Sequence, residues 1–193
     1  MGRTRVDLGG AVTGGTVAAE TEEKPSGELD QDTLERLVRG AQRGDALAMD
    51  ELLGVLTPYI GRICGPVALQ DGADATQEAL IQVFRNIRQL KTPSALFGWA
   101  RTVAVREAVR YAKQRRRVVV SELDDEPAPD DLELASDVDD ALRRLSPEHQ
   151  AVLTLRHIEG LSEKEVSEIL AVPIGTVRSR LFRARHLFRN AWQ

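Results

Sequence analysis

The sequence is poor in the residues from which disulfides, metal sites and aromatic cores are built. Its 193 residues include one cysteine, Cys64, three histidines and only 4% aromatic residues. One thiol allows no disulfide framework, and no set of Cys, His or carboxylate side chains stands at zinc-ligand spacing. We therefore predict that Cys64 is a buried structural thiol and that the chain uses no metal or cofactor.

Signals for membranes and for catalysis are also missing from the sequence. No run of eighteen apolar residues occurs, and the first residues lack the basic start and apolar stretch of a secretion signal. No glycine-rich phosphate loop and no nucleophile–base arrangement is recognisable. These absences predict a cytoplasmic protein that is not an enzyme and does not insert into a membrane.

Charge is distributed unevenly along the chain, which the net value of −4 conceals. Residues 1–30 carry three basic and six acidic side chains, and residues 118–141 carry ten acidic side chains and no basic one. Residues 31–117 carry fourteen basic and nine acidic side chains, and residues 142–193 carry nine and five. The pattern predicts two basic modules joined by an acidic linker, and basic modules gain affinity for nucleic acid by neutralising phosphates.

Residues 173–189 carry a helical pattern with two opposed faces. The apolar stripe comprises Val177, Leu181, Ala184 and Phe188. The opposite face comprises Thr176, Ser179, Phe182, Arg183 and His186, flanked by Arg178. Arginines, hydroxyls and one ring suit a DNA major groove better than a protein core. The alternative is a three-helix bundle whose arginines are merely a solvated face.

The residues before this helix complete a helix-turn-helix pattern. Ser162 and Glu165 form a capping box that opens a helix over residues 162–170. The turn follows at residues 171–175, and Pro173 can stand near the start of the second helix. An earlier helix is predicted from Pro147 to His157 or Ile158, ending near Gly160.

Helical periodicity also fills the amino-terminal half, from about Asp32 to Arg117. One helix is predicted over residues 75–90, broken by Thr92-Pro93, and the last over about 95–117. The side chains expected to face inward on the first of these are Ala79, Leu80, Val83, Phe84 and Ile87. We predict an all-α protein with two small helical domains, at residues 31–117 and 137–193. Residues 1–30 are expected to be disordered, and residues 118–136 to form a flexible acidic linker.

The two halves together resemble the extracytoplasmic-function (ECF) sigma factors, the small two-domain members of the sigma-70 family of bacterial RNA polymerase. The resemblance covers about residues 33–190. In the carboxy-terminal half it rests on residues 145–150, 159–162 and 175–181 (LSPEHQ, EGLS and GTVRSRL), which are similar to region 4. In the amino-terminal half it rests on residues 71–78 (DGADATQE), which are similar to region 2.

The resemblance implies binding sites for core RNA polymerase and for promoter DNA, and transcription initiation without catalysis. Region 2 would dock on the polymerase clamp coiled coil through Asp74, Gln77, Glu78 and Arg85. These side chains lie along one polar flank of their helix, a flank that an ordinary solvated helix also presents. Further implied partners are the polymerase flap and an anti-sigma factor that masks both domains.

The resemblance also implies how each domain would contact DNA. The loop at residues 91–97 would capture a flipped base of the −10 element through Lys91, Ser94 and Phe97, while Trp99 belongs to the core. Phosphate contacts around the melted region would come from Arg106, Arg110, Lys113 and Arg115, although the family usually has Asn at position 106 and Asp at 110. Region 4 would contact the −35 element through Thr176, Arg178, Ser179, Phe182 and Arg183. The acidic linker would thread the polymerase cleft, either as a nucleic-acid mimic or as a solubilising tether.

Two other functions remain open from the sequence. A stand-alone transcriptional regulator would use the same helix-turn-helix, but it would have no need of the polar flank at Asp74, Gln77 and Glu78. An interaction protein that sequesters a regulator without binding DNA would tolerate neutralisation of Arg178 and Arg183.

Overall fold

The computed structural model describes residues 30–122 and 141–192, with side chains over 30–117 and 141–190. The predictions for residues 1–29 and 123–140 lie outside these ranges. Within them every regular element is helical, which confirms the all-α class. The main helices are α1 (Gln31–Arg43), α2 (Ala46–Ala68), α3 (Gly72–Asn86), α4 (Leu96–Glu122), α5 (Pro147–Leu153), α6 (Glu163–Leu170) and α7 (Ile174–Trp192).

The first two helices are delimited by residues that satisfy the free backbone groups at their ends. The Asp30 carboxylate accepts a hydrogen bond from the Thr33 amide at 2.7 Å and caps α1. Gly44 ends α1 with φ of +92°, a conformation that a glycine adopts without strain. Asp45 then caps α2 through the amides of Leu47 and Ala48. The chain therefore reverses direction between α1 and α2 within two residues.

The amino-terminal module, α1–α4, is organised around α2, against which the other three helices pack. The larger side chains of its core that are fully buried are Val38, Leu52, Leu56, Ile60, Ile63, Val67, Val83, Ile87 and Leu96. Cys64 is buried among them, as predicted. The side-chain amide of Gln42, on α1, donates hydrogen bonds to the carbonyls of Ile87 and Leu90, which directly follow α3.

One inward assignment on α3 is wrong. Phe84 is 56% exposed, whereas Ala79, Val83 and Ile87 are buried as expected. The helix begins at Gly72 and gives way to a 3₁₀ turn at Ile87–Gln89. Residues 83 and 84 are 100° apart on a helix, so only one of them can point at the centre of the narrow core between α2 and α4.

The last helix of the module is longer than the sequence pattern indicates. The predicted boundary between domain and linker lies at residue 117, but α4 continues to Glu122. The first five residues of the predicted linker, which include three valines at 118–120, are therefore helical. Nothing forces a helix to end before residue 122, because the first proline of this stretch is Pro127.

One stretch of the module, within Ala46–Gln89, is long and apolar enough by composition to cross a membrane. Leu52, Leu56, Ile60 and Ile63 of this stretch are fully buried against neighbouring helices. The face of this stretch that carries these four residues therefore belongs to the protein core.

Helices α5–α7 form the carboxy-terminal module, whose buried side chains join the same apolar cluster as those of the first module. Its fully or nearly buried side chains are Ala151, Val152, Leu155, Val166, Val177, Leu181 and Ala184. Helix α5 starts at Pro147, capped by Ser146, and passes into a wider turn over Thr154–Ile158. Gly160, with φ of +68°, then redirects the chain towards α6. Helices α2 and α4 of the first module also contact α5 of the second.

Candidate nucleic-acid interface

Short-range hydrogen bonds shape the helix-turn-helix formed by α6 and α7. The Ser162 amide donates to Glu165 Oε2 at 2.8 Å, and the Glu165 amide donates to Ser162 Oγ at 3.3 Å, so the predicted capping box is present. Hydrogen bonds from the Ser162 hydroxyl and amide lower the pKa of Glu165. Ala171 ends α6 in the left-handed region, and Ser167 Oγ donates to the Val172 carbonyl at 2.6 Å. These contacts set the angle at which α7 leaves the turn.

Helix α7 has the two faces that the sequence predicts. Val177, Leu181 and Ala184 are at most 2% exposed and pack on α5 and α6. Phe182 is 74% exposed, the highest value among the large apolar side chains that the structure describes in this module. The Phe182 ring is therefore available on the same side of α7 as the exposed side chains of Arg178 and Arg183.

The predicted −35 residues share one exposed strip of α7, except that Thr176 is half-buried. Arg178 Nε contacts Glu163 Oε2 at 2.8 Å, which orients the guanidinium while leaving it 66% exposed. Ser179 Oγ donates to the Thr176 carbonyl at 3.0 Å. The Thr176 amide is already paired with the Pro173 carbonyl at 2.8 Å, so a phosphate contact by Thr176 would use its hydroxyl.

The predicted −10 loop forms a separate surface on the first module. Lys91 and Ser94 are exposed, whereas Phe97 is half-buried. The Phe97 ring packs edge-on against Tyr59 with a centroid distance of 5.1 Å, and its carbonyl accepts from Tyr59 Oη at 3.3 Å. Phe97 therefore anchors the loop, and Trp99 packs against the core as expected.

The four basic residues assigned to phosphate contacts line α4 and differ in their partners. Arg106 is exposed. Arg110 contacts Glu107 at 2.6 Å, and this carboxylate raises the pKa of Arg110. Arg115 pairs with Asp71 at 3.2 Å, and Lys113 pairs with Glu148 of the other module at 2.7 Å. Each of these three cations is thus paired with a carboxylate in this structure.

The residues assigned to core polymerase lie together on the polar flank of α3. Asp74, Gln77 and Arg85 are exposed, and Glu78 is half-buried. Glu78 Oε1 accepts from Gln82 Nε2 at 2.8 Å. The structure therefore presents three distinct surfaces: the α3 flank, the loop with α4, and the exposed strip of α7.

Sequence reasoning missed one cluster, made by Tyr59, Arg62, Arg101 and Glu159. The Glu159 carboxylate is 2% exposed and contacts both arginines at 2.9 Å. Burial of Tyr59, followed by the negative charge of Glu159, raises the pKa of Tyr59 to about 12. The hydrogen-bond partners of Glu159 lie 58 to 100 residues from it in the sequence, so no local sequence pattern predicts this cluster.

The second helix of the helix-turn-helix is basic and exposed, and the amino-terminal helical module has a basic surface of its own. These features define the class of the protein as a two-module DNA-binding protein. Family models agree, with sigma-70 region 2 matching residues 49–118 and sigma-70 region 4 matching residues 135–186. The ECF RNA polymerase sigma-E factor of Haemophilus influenzae is 32% identical, over 85% of this chain and 97% of its own. The RNA polymerase sigma-H factor of Pseudomonas aeruginosa is 30% identical, over 86% of this chain and 96% of its own. The chain belongs to the ECF sigma factors of RNA polymerase.

Solved structures show the same fold at lower identity. The sigma factor RpoE of Bartonella quintana, in complex with the anti-sigma factor NepR, is 21% identical with a TM-score of 0.57, over 74% of this chain and 94% of its own. CnrH, in complex with the cytosolic domain of CnrY, is 17% identical with a TM-score of 0.57, over 82% and 96%. As a member of this family the chain directs RNA polymerase to promoters.

Proposed function

We propose that this sigma factor recognises the −35 element with the exposed strip of α7 and the −10 element with the first module. It acts in the cytoplasm and performs no catalytic step itself. The observation that carries the proposal is the placement of Phe182 beside Arg178 and Arg183, on a helix whose opposite face is buried. A ring between two cations can touch a thymine methyl while the arginines bind guanine edges or phosphates.

The −10 contact is proposed to be divided between the loop and α4. Lys91 and Ser94 project from a loop that Phe97 anchors to Tyr59, and this arrangement supports a fixed pocket for an extruded base. Arg106, Arg110, Lys113 and Arg115 supply phosphate contacts along α4. Each phosphate that they neutralise steepens the salt dependence of binding.

Docking on core polymerase is assigned to the α3 flank at Asp74, Gln77, Glu78 and Arg85. A second contact is proposed for the polymerase flap, at a groove of about 660 Å³ on the carboxy-terminal module. Leu153, Ile158 and Phe188 line its apolar part, and His157 and Arg185 line its edge. Such a groove fits the apolar face of a partner helix. An anti-sigma factor is a further expected partner, since both structural neighbours contain a bound second protein.

The test is run-off transcription with purified core polymerase on a promoter library, with and without this chain. We expect transcripts only in its presence, from start sites that share two spaced elements. Duplex binding by the chain alone, with no transcription, would instead establish a stand-alone regulator.

Two pairs of variants separate the DNA and polymerase surfaces. Arg183→Ala should lower transcription about 5- to 150-fold, the equivalent of a lost base contact of ~1–3 kcal/mol. Lys164→Ala removes the same charge from an exposed position of α6 and should leave transcription unchanged. Asp74→Ala should weaken binding to core polymerase without affecting DNA, whereas Glu51→Ala, an exposed acid on α2, should do neither.

A further inference from the structure

We propose that Glu163 is a positioning residue for base recognition, which holds the Arg178 guanidinium so that its two terminal nitrogens face a guanine of the −35 element. The inference rests on the proposed function, which places Arg178 on the −35 surface. It adds a residue of α6 to a surface otherwise made by α7. It also names guanine as the base that this part of the surface selects.

The contact between Glu163 and Arg178 uses only one nitrogen of the guanidinium. Arg178 Nε donates to Glu163 Oε2 at 2.8 Å. Within the part of the chain that the structure describes, neither terminal nitrogen of Arg178 makes a hydrogen bond. A guanidinium carries five N–H groups in a planar fork, so a single bond at Nε leaves the whole edge formed by Nη1 and Nη2 available. That edge can donate to guanine O6 and N7 at the same time.

Glu163 stands on a well-defined part of the helix-turn-helix. It is the first residue of α6, but the capping box of that helix uses Glu165. Val166 of α6 and Val177 of α7 are fully buried, and the two helices pack against each other. Because Val177 immediately precedes Arg178, the packing fixes where both partners of the ion pair leave the main chain.

The ion pair contributes little to the stability of the fold, so its main effect is on the arginine itself. The Arg178 and Glu163 side chains are 66% and 36% exposed. Water and salt screen such pairs, which therefore stabilise a fold only weakly. An arginine without a partner samples many rotamers, and ordering it on binding costs affinity. Glu163 restricts Arg178 before DNA arrives and so lowers this cost for one orientation of the guanidinium.

The charge of Glu163 also favours discrimination between bases. Phosphate contacts carry no sequence information and supply most of the non-specific affinity of a DNA-binding surface. A carboxylate 2.8 Å from Arg178 Nε offsets the positive charge, so the pair attracts phosphates less than an arginine alone. The arginine is therefore kept for the base edge.

The test measures base preference in the holoenzyme formed from this chain and core polymerase. Run-off transcription is scored on promoters with a randomised −35 element, and Arg178→Ala first identifies the position at which the parent's preference for guanine is lost. Glu163→Ala should lower the guanine preference at that position by about 2- to 10-fold, the contribution expected from ordering one side chain. Glu163→Gln keeps an acceptor for Nε and should retain most of the preference.

Two controls separate positioning from folding. Glu168→Ala removes the same charge from an exposed position of α6 and should leave every base preference unchanged. In the Arg178→Ala background, Glu163→Ala should have no further effect on base preference, because the residue that it positions is absent. The far-UV circular dichroism and the denaturation midpoint of each variant should match those of the parent.

The salt dependence of non-specific binding gives a second readout that a purely structural role would not change. Holoenzyme binding to a duplex without promoter elements is measured as a function of salt concentration. Glu163→Ala should steepen the slope of log Kobs against log salt by up to about 1, because the released Arg178 neutralises one more phosphate. The same change in the Arg178→Ala background should leave the slope unaltered.

The failures of the inference and of the proposed function are distinguishable. Loss of guanine preference in Arg178→Ala but not in Glu163→Ala would overturn the positioning role. If Arg178→Ala altered no base preference, or altered the preference for another base, the assignment of guanine to Arg178 would be overturned. Absence of transcription with the parent holoenzyme would overturn the proposed function, and this inference with it.

Discussion

Adjacent residues on α7 should separate stability from DNA binding. Leu181 is 2% exposed in the core of the helix-turn-helix, and Phe182, the next residue, is 74% exposed on the basic strip. Truncation of each to alanine removes an apolar side chain from the same helix, and the larger of the two is the exposed Phe182 ring. Only one of the two has packing to lose.

The expected magnitudes follow from this burial. Leu181→Ala leaves a cavity beside Val177 and Ala184 and should lower the free energy of unfolding of the module by ~2–5 kcal/mol. Phe182→Ala should change it by no more than ~0.5 kcal/mol, as is usual for an exposed site. The order reverses for the −35 duplex, where loss of the Phe182 ring should weaken binding by ~1–3 kcal/mol.

The assay combines denaturant unfolding, amide exchange over α5–α7, and duplex binding measured well below the unfolding midpoint. Amide exchange isolates the second module from the first. A loss of more than ~2 kcal/mol of stability in Phe182→Ala, with unchanged duplex binding, would show that the ring packs in the protein and would refute the two-face assignment.

Three further predictions concern the helix caps, the helix crossings and the thiol. Ser162→Ala removes the capping box and should destabilise the second module by ~1 kcal/mol at neutral pH. Because the pKa of Glu165 is lowered in the folded state, this stabilisation is present above the ordinary value of 4.5 and is lost as the pH falls through the folded pKa, so the variant should lose less stability on acidification. Gly40→Ala should destabilise the first module by ~1–3 kcal/mol, since an added Cβ would lie 2.7 Å from a side chain of α2, whereas Gly54→Ala, with open space around it, should stabilise by ~0.5–1 kcal/mol. Burial raises the pKa of Cys64 to about 11, so an aromatic disulfide reagent at pH 8 should label the thiol only at the rate of unfolding.

Each of these three predictions can be contradicted by a measurement. Denaturant midpoints between pH 3 and pH 7 test the capping box, and parallel pH profiles for parent and variant would count against it. Equal stability of the two glycine variants would show that the α1–α2 crossing is not tight. Complete labelling of the thiol within seconds in native buffer would show that it is accessible.

Local patterns determined much of this protein. The 3.6-residue spacing of Val177, Leu181 and Ala184 defined the buried face of α7, and Ser162 with Glu165 defined the start of α6, because both signals lie within a single helical turn or two. The order of the motifs was enough to place the chain among the sigma factors. The assignments of individual residues to DNA and polymerase remain predictions.

Two features needed more than local spacing. Phe84 matches the apolar period of α3, but the core between α2 and α4 accepts Val83 in that position and leaves Phe84 exposed. Helix α4 ends five residues beyond the predicted boundary, because the prolines and acidic charge that indicate the linker impose no backbone constraint before residue 122.

What the sequence by itself determined is therefore the helices, the faces of the helix-turn-helix and the family. What only the tertiary structure decided is the relation between the modules. Glu159 finds Arg62 and Arg101 across 97 and 58 residues of chain. A single charged residue is compatible with many partners, and only the packing of α2 and α4 against α5 selects these by excluding water from the carboxylate. The apolar periodicity of a helix shows which of its faces is buried, but it does not show which distant residue a charged side chain such as Glu159 will contact.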